Sequence, residues 1–469
     1  MRRLLRTFPP LVALIGLVAA VPAAQATTGL SSAHGFVPQQ LLVKFDGQRS
    51  GRALALPSGA GVLRTAKALR ANPRVAYAQP NYIATASATA SPFDPNDPGT
   101  LGTPSEPSSL PSGWASKQWD FLAAEGPATP QLPTSPGGID AVGAWRHLIE
   151  AGRPGAAGIV VAVLDTGIAY RSFGGILTSP DFSPAQFVGG YDFIGHDRFP
   201  LDENGHGTHV AGTIAEETDN GIGLTGLAYR AKLMPVRVLN RVGEGHENRI
   251  ARGIRYAVTH HANVINMSFN FECEAQLPMV DEALRFAYRR GVVTVASGGN
   301  LEPLEPGRKA AKECVSAPAT GPHVIAVGGA TEGACIGYYS LAGAAIDLVA
   351  PGGGEPRKGC PSILQRPIYQ VTFRPKTTEF AIPGDYVGTS MAAAHVSGVA
   401  AMVLASGVLG PRLTPEDKVD AVLSQLRRTA RNLGYPRTLQ GAGLIDAAKA
   451  TEPLASLGGI GKARVPRLR

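Results

Sequence analysis

Short apolar runs alternate with segments of helical spacing through the larger part of the chain. Five runs rich in β-branched residues predict buried strands: 159–165, 231–239, 263–269, 291–297 and 323–329. Between them, 249–261 and 280–290 have apolar residues at helical spacing. Strands that are apolar on both faces belong to parallel sheets with covered faces. The pattern therefore predicts an α/β fold with a parallel β-sheet covered by helices on both faces.

A smaller unit precedes this domain. Residues 40–47 and 74–83 have strand patterns and 66–73 a helical one, which predicts a small α+β pro-segment within 27–90. Residues 91–112 are rich in Ser, Thr, Pro, Asp and Gly, a composition typical of an accessible linker or processing region. We therefore predict a removable propeptide, a linker and a large domain over 113–451.

The N-terminus has the features of an export signal. Arginines 2, 3 and 6 precede an apolar run that ends in Ala24-Gln25-Ala26, so 1–26 is predicted as a signal peptide of a secreted protein, extracellular or periplasmic. The apolar run is short for a bilayer span, and the rest of the chain offers no other candidate, so no membrane partner is expected.

Composition excludes wholesale disorder and argues against nucleic-acid binding. Hydrophobic residues make up 44% and charged residues 17% of the 469 residues, enough for a large core. The net charge is +8, but the basic residues are scattered, and their main cluster lies in a basic C-terminal tail over 452–469. No basic stripe with interleaved aromatic residues is present.

Four cysteines allow three disulfide pairings in an exported protein. Cys273 with Cys314 and Cys335 with Cys360 are preferred because each pair closes a modest loop, but the sequence does not decide the pairing. Zinc binding is the competing hypothesis, and the lack of any Cys-x-x-Cys spacing argues against it.

Three motifs contain residues suited to catalysis. Asp165 ends a buried strand, His206 and His209 lie in the segment 204–212, and Ser390 opens the long apolar helix predicted within 388–406. Each has an ordinary structural interpretation: a turn-capping aspartate, a core histidine and a helix N-cap serine. Amides at the start of an apolar helix also favour negative charge developing beside its first serine.

Taken together, the motifs supply what a nucleophilic serine requires. A serine hydroxyl needs an imidazole to accept its proton and a buried carboxylate to orient that imidazole. The chain order Asp, His, Ser excludes the α/β-hydrolase arrangement. An aspartic protease would need a second Asp-Thr-Gly, which is absent, and a metal hydrolase using His206 and His209 would lack the glutamate of a His-Glu-x-x-His motif.

The segments 165–170, 206–212 and 388–398 resemble the subtilisin-like serine proteases in order and separation, and 264–270 and 292–300 resemble their substrate-lining strands. The resemblance implies a serine endopeptidase that acts on proteins through an acyl-enzyme. Asp165 would be the orienting carboxylate, His206 the general base and Ser390 the nucleophile. Asn300 would donate a hydrogen bond to the oxyanion, together with the backbone N–H of Ser390.

The same resemblance implies the surrounding sites. Substrate would lie extended between two backbone segments, as an added strand. The residues implied to bind it are Gly243, Gly245, Ser268, Asn270, Ser297 and Gly299. Asn270 departs from the family pattern, which commonly has glycine there, so specificity is the property placed in doubt.

No cofactor is expected for the chemistry, but a structural calcium ion is expected from the resemblance. Its ligands would be Asp181, the side chain of Asn220 and the carbonyls of Ile222 and Leu224, with a solvated Asn-Gly turn as the alternative. The propeptide is expected to act as an intramolecular inhibitor and chaperone. A catalytically silent binding scaffold of the same fold is the main rival, and it would normally have lost one of the reacting residues.

Overall fold

The computed structural model describes most of the chain beyond residue 35. The described residues are 36–48, 50–57, 59–82, 93–101, 113–126, 129, 131–272, 275–301, 314–373, 377 and 379–453. They belong to two compact units, divided after Thr89. The predicted signal peptide, 1–26, and residues 454–469 of the predicted basic tail lie outside the described residues.

The first unit is a three-stranded antiparallel sheet with one helix. It comprises strands β1 (Phe36–Phe45), β2 (Arg52–Ala55) and β3 (Val75–Tyr82) and helix α1 (Val62–Arg70). β1 pairs with both other strands. Its small core contains Leu41, Val43, Val62, Ala66 and Ala78. The predicted strand, helix and strand are therefore present, and β2 is an additional strand at the edge.

The second unit contains the remaining strands and α-helices of the described residues. In chain order these are α2 (Ala141–Glu150), β4 (Val160–Asp165), β5 (Tyr191–Asp192), α3 (His206–Ala215), β6 (Lys232–Arg237), α4 (Glu247–Thr259), β7 (Val264–Met267), α5 (Pro278–Arg289), β8 (Val293–Ser297), β9 (Val324–Ala330), β10 (Leu348–Pro351), β11 (Thr372–Phe373), β12 (Phe380–Ala381), α6 (Thr389–Ser406), α7 (Pro415–Thr429), α8 (Arg437–Gln440) and α9 (Ala447–Thr451).

Seven of these strands form one parallel sheet, which confirms the predicted fold class. Its order is β10-β9-β8-β7-β4-β6-β5, and every pair in it is parallel. The five predicted strands are its five central members. The two edge strands were not predicted: β5 has only two residues, and β10 ends in Pro351, which is tolerated at a sheet edge.

Alternating residues of the central strands divide the core into two layers. Val161 and Val163 of β4 belong to a cluster that includes helices α2, α3 and α6, whereas Ala162 and Leu164 belong to a cluster with α4 and α5. Because successive side chains of a strand point to opposite faces, one strand serves both layers. In parallel sheets of this kind, reactive polar groups lie beyond the carboxyl ends of the strands.

Helix α6 is the long, largely buried helix of the core layer that also contains α2 and α3. Fourteen of its eighteen residues are buried, and most of these are alanine, valine or methionine. Among the described helices it is long and apolar enough to cross a membrane, and 78% of it is buried inside the protein. A helix surrounded by protein on all sides presents its first turn in a fixed position relative to the sheet.

Residues 93–101, in the range predicted as a linker, belong to the second unit. Gly99 donates its N–H to the carbonyl of Gly223 (2.8 Å), and the N–H of Gly223 donates to the carbonyl of Thr100 (3.0 Å). The ring of Phe93 stacks on that of Tyr229, with centroids 5.1 Å apart. This segment is therefore an ordered part of the larger unit.

Candidate active site

Five polar residues lie at the carboxyl edge of the sheet because of where the strands end and the helices begin. Asp165 is the last residue of β4, Ser268 follows β7, and Asn300 lies three residues beyond β8. His206 is the first residue of α3, and Ser390 is the second residue of α6. Since β4, β7 and β8 are neighbours in register, these side chains belong to one rim.

Asp165 and His206 are in direct contact. His206 Nδ1 lies 2.8 Å from Asp165 Oδ1, which also accepts the N–H of Thr166 (2.8 Å). The Asp165 side chain is fully buried, whereas the His206 side chain is 26% exposed. A buried carboxylate on Nδ1 holds the proton there and leaves Nε2 as the accessible acceptor.

The surroundings of His206 favour its charged form. Burial lowers the pKa of His206, but the charge and the hydrogen bond of Asp165 raise it, and the charge of Asp202 raises it further, so that it lies above its ordinary value. The ring can therefore hold a proton near neutral pH, which a general base must do during a reaction.

His209 has a different environment from His206. It is fully buried, its Nε2 lies 3.1 Å from the carbonyl of Ile368, and its ring stacks on Tyr386 with centroids 4.0 Å apart. Because a carbonyl can only accept, Nε2 of His209 is the donor of this bond. The two histidines thus face different partners.

Ser390 is tied to the end of β7. Its hydroxyl donates to the carbonyl of Ser268 (3.1 Å), and the Ser268 hydroxyl donates to the carbonyl of Ser390 (2.8 Å). Asn266 supports this pair by donating from Nδ2 to Ser268 Oγ (2.9 Å), and it accepts from Ser397 Oγ (2.9 Å). Sequence reasoning missed Asn266 and Ser397, because a polar residue in a buried strand or helix does not disclose its partner.

Asn300 contacts the residue before Ser390. The N–H and the hydroxyl of Thr389 both donate to Asn300 Oδ1, each at 3.0 Å. A backbone N–H can only donate, so the atom it contacts is the amide oxygen, and the Nδ2 group lies on the other branch. A Cβ at Gly388, whose φ is +153°, would lie 3.2 Å from that Nδ2. Because Gly388 has no Cβ, the Nδ2 group of Asn300 is not crowded from this side.

The other predicted substrate-binding residues lie on either side of β4. Gly243 and Gly245 belong to the loop after β6, and Asn270 is exposed in the loop after β7. Buried Ser297 ends β8 and donates to the carbonyl of Phe269 (3.2 Å), with Gly299 two residues further on. Because β6 and β7 are the two neighbours of β4 in the sheet, these loops flank the strand that ends in Asp165.

The residues predicted to bind calcium also come together. Asp181 Oδ1 accepts from Asn220 Nδ2 and its Oδ2 accepts from the N–H of Leu224, both at 2.8 Å. The Asn220 oxygen accepts the N–H of Ile222 (2.8 Å). Sequence reasoning missed Asp97, which lies in the predicted linker and accepts the N–H groups of Asp219 and Asn220 (3.0 and 3.1 Å).

Buried acidic groups dominate this region. Burial raises the pKa of Asp181 to about 8 and that of Asp97 to about 6, and it raises the pKa of Glu216 well above its ordinary value. Each of these carboxyls is fully buried, and no cationic side chain among the described residues contributes to their pKa shifts. A bound cation would balance their charge, and the calcium ion expected from the sequence stays a prediction.

One of the two predicted disulfides lies within the described residues. Cys335 and Cys360 are bonded, with Cα atoms 6.1 Å apart, and close a loop that contains β10. Cys314 is also in a disulfide. Cys273, its predicted partner, lies outside the described residues, so this pairing stays a prediction.

Comparison with known proteins agrees with this geometry. The family model described as the subtilase family matches residues 156–444. The chain belongs to the subtilase family. The matched range includes Asp165, His206, Asn300 and Ser390. The resemblance inferred from the five motifs is therefore confirmed.

Individual subtilases are similar over most of the second unit. The thermophilic serine proteinase of Bacillus sp. (strain AK1) is 31% identical over 341 residues, which cover 73% of this chain and 66% of that protein. Subtilisin DY of Bacillus licheniformis is 31% identical over 319 residues, covering 68% of this chain and 99% of that protein. This chain thus spans just under two thirds of the first relative and nearly all of the second.

The fold is also found in a solved structure. A protease from Pseudoalteromonas arctica matches with a TM-score of 0.57 and 28% sequence identity, over 76% of this chain and 99% of that one. These similar proteins are named as proteases or subtilisins.

Proposed function

We propose that this subtilase is a secreted serine endopeptidase that hydrolyses peptide bonds through an acyl-enzyme. The observation that supports it most is the contact of buried Asp165 with His206 at the rim where Ser390 lies in the first turn of helix α6. An orienting carboxylate, an imidazole with a raised pKa and a serine at a helix start are the groups that acyl transfer requires. All of the reacting residues are present, which argues against a silent scaffold.

In the proposed reaction, the Ser390 oxygen attacks the scissile carbonyl carbon while Nε2 of His206 takes the hydroxyl proton. The proton then passes to the leaving amine, and the peptide C–N bond breaks to give an ester on Ser390. Water, deprotonated by His206, hydrolyses the ester and returns the proton to Ser390. Asp165 stays ionised and stabilises the imidazolium formed in each half.

The negative oxygen of each tetrahedral intermediate needs donors that are already in place. Asn300 Nδ2 and the backbone N–H of Ser390 are the proposed donors, and the two bonds from Thr389 to Asn300 Oδ1 hold the amide group in its orientation. The Ser390 N–H belongs to the first turn of α6, where N–H groups have no partner within the helix. Substrate-free, the Ser390 hydroxyl donates to Ser268, so it must turn toward His206 as the reaction begins.

Protein substrates fit the two loops that flank β4. An extended peptide between the loop with Gly243 and Gly245 and the segment Ser268 to Asn270 would form main-chain hydrogen bonds, which tolerate many sequences. Broad endopeptidase activity is therefore proposed, with Asn270 as a residue that narrows specificity.

Export and maturation are part of the same proposal. The predicted signal peptide would direct secretion, and the small unit of β1, β2, α1 and β3 would be the propeptide that assists folding and is removed. Its three-stranded sheet has its own apolar core, as a separately folding partner needs. Because residues 93–101 pack on the larger unit, that segment is proposed to stay with the mature enzyme.

A structural calcium ion completes the proposal. Asp181, Asn220 and the carbonyls of Ile222 and Leu224 would hold it, with Asp97 as an additional nearby charge. The ion would supply cohesion between these segments and take no part in the chemistry.

The proposal is tested with purified wild type, Ser390→Ala and the control Ser406→Ala, whose serine ends the same helix. Casein hydrolysis, labelling by a fluorophosphonate and N-terminal sequencing of the product are compared. Wild type and Ser406→Ala should digest casein and take the label at Ser390, and Ser390→Ala should do neither and keep its propeptide. Digestion of casein by Ser390→Ala would refute the serine mechanism.

A further inference from the structure

Asp202, a residue outside the proposed triad, accepts five hydrogen bonds. It lies four residues before His206 and is fully buried. Its Oδ1 accepts from Thr166 Oγ1 (2.8 Å) and from the N–H groups of Asn204 (2.8 Å) and Gly205 (3.0 Å). Its Oδ2 accepts from the N–H (2.9 Å) and the hydroxyl (2.7 Å) of Thr208.

These bonds connect the segments that hold Asp165 and His206. Thr166 directly follows Asp165, while Gly205 and Thr208 lie on either side of His206. Thr166 Oγ1 also accepts the N–H of Gly207 (3.0 Å), so this hydroxyl links Asp202 to the first turn of α3. One carboxylate therefore sets the spacing between the end of β4 and the start of α3.

The turn before His206 cannot be held by an ordinary helix cap. Gly205, the residue before α3, has φ of +101°, and a Cβ there would lie 2.4 Å from the carbonyl oxygen of Phe373. Five donors converge on Asp202, so the group that fits is an acceptor without hydrogens, an ionised carboxylate. A carboxamide would turn an N–H₂ toward at least one of these donors and leave it unpaired.

We infer that Asp202 is a positioning residue of the proposed reaction, which holds His206 against Asp165 and supplies a second negative charge near its ring. The inference rests on the proposed serine peptidase function.

The charged groups around His206 indicate that Asp202 also affects the pKa of the ring. Asp165 at the end of β4 and Asp202 in the preceding loop are the acidic groups that act on it, and both raise its pKa. The hydroxyl of Tyr386 lies beside Gly205. Removing the charge of Asp202 disfavours the imidazolium, so the pKa of His206 should fall and the acid limb of kcat/KM should move to lower pH.

The test compares Asp202→Asn with Thr166→Val and the control Asp140→Asn. Asp140 is also a carboxylate at a helix start: it accepts the N–H of Gly143 at the first turn of α2 and does not act on His206. For each, kcat and KM for a chromogenic peptide are measured across pH, with thermal unfolding of the fluorophosphonate-labelled protein. Asp202→Asn should lose about 100-fold in kcat with little change in KM, and its acid limb should move to lower pH.

Thr166→Val keeps the Asp202 charge but removes one bond to it. It should lose about 10-fold in kcat with the acid limb in its wild-type position, and Asp140→Asn should match wild type in both. A limb that stays in place in Asp202→Asn, or a kcat loss no larger than that of Asp140→Asn, would overturn the inference. If Asp202→Asn does not fold, Thr166→Val decides by its kcat.

Labelling of the wild type distinguishes failure of the proposed function from failure of the proposed role of Asp202. If the fluorophosphonate does not label Ser390 in wild type, the proposed function fails, whatever the variants do. If wild type is labelled and Asp202→Asn behaves as the control, only the role of Asp202 is wrong.

Discussion

Replacing Asn300 separates its two proposed roles. Oδ1 accepts two hydrogen bonds from Thr389 and so contributes to the structure around Ser390, whereas Nδ2 is the proposed oxyanion donor. Asn300→Asp keeps oxygen acceptors for Thr389 but replaces the donor with a carboxylate oxygen. Asn300→Ala removes both functions. The two variants should therefore differ in stability but share a large loss of turnover.

The expected magnitudes follow from these contacts. Loss of a side-chain oxyanion donor, in the value known for a subtilisin, costs about 2.7–4 kcal/mol, or about 10²–10³-fold in kcat. Asn300→Ala also leaves the Thr389 N–H and hydroxyl without their acceptor, at about 1–3 kcal/mol of stability for the two bonds together. KM should change little in either variant, since the oxyanion forms only after the substrate has bound.

Steady-state kinetics on a chromogenic peptide, together with urea unfolding of the fluorophosphonate-labelled proteins, measure both effects. Thr389→Val is the matched control: it removes one bond to Oδ1 but keeps the backbone N–H, so its kcat should fall at most about 10-fold. An Asn300→Asp variant with nearly wild-type kcat, or one whose defect lies in KM alone, would refute the assignment of Nδ2 as the donor.

Three further predictions concern pH, the buried contact between Asp120 and His395, and calcium. The acid limb of kcat/KM should have its midpoint above pH 6.5, the ordinary pKa of histidine. The reason is that the active form has neutral His206, and the pKa of this residue is raised. A midpoint below pH 6.5 would contradict this. Asp120→Ala should destabilise the protein by about 3–5 kcal/mol, measured by urea unfolding. His395 is buried, with Nε2 2.8 Å from Asp120 and Nδ1 2.8 Å from the Met391 carbonyl. A loss under about 1 kcal/mol would show that the contact is dispensable. A chelator should lower the unfolding temperature of wild type but not that of Asp181→Asn. The rate of fluorophosphonate labelling at 25 °C should stay unchanged. An equal fall of the unfolding temperature in both proteins would refute calcium binding at Asp181.

Much of the architecture was predictable from the chain alone. The period of the apolar residues disclosed the five central strands and their parallel arrangement, because a strand buried on both faces is apolar at consecutive positions. Asp165, His206 and Ser390 were chosen as candidates because they lie in compact motifs whose neighbours, small residues and a strand end, have few other uses. A parallel sheet brings strand ends to one rim, so that a site beyond the end of β4 was expected.

The hydrogen bonds that support the candidate sites could not be predicted from the sequence and are seen only in the folded structure. Asp97 lies in a stretch with the composition of a linker, and only its bonds to Asp219 and Asn220 show that it belongs to the larger unit. Asp202 and Asn266 are single polar residues whose partners are set by how the helices pack on the sheet. A motif specifies which groups are available, whereas hydrogen-bond partners depend on distances of a few ångströms between segments far apart in the chain. Those distances are fixed by packing, to which the whole core contributes.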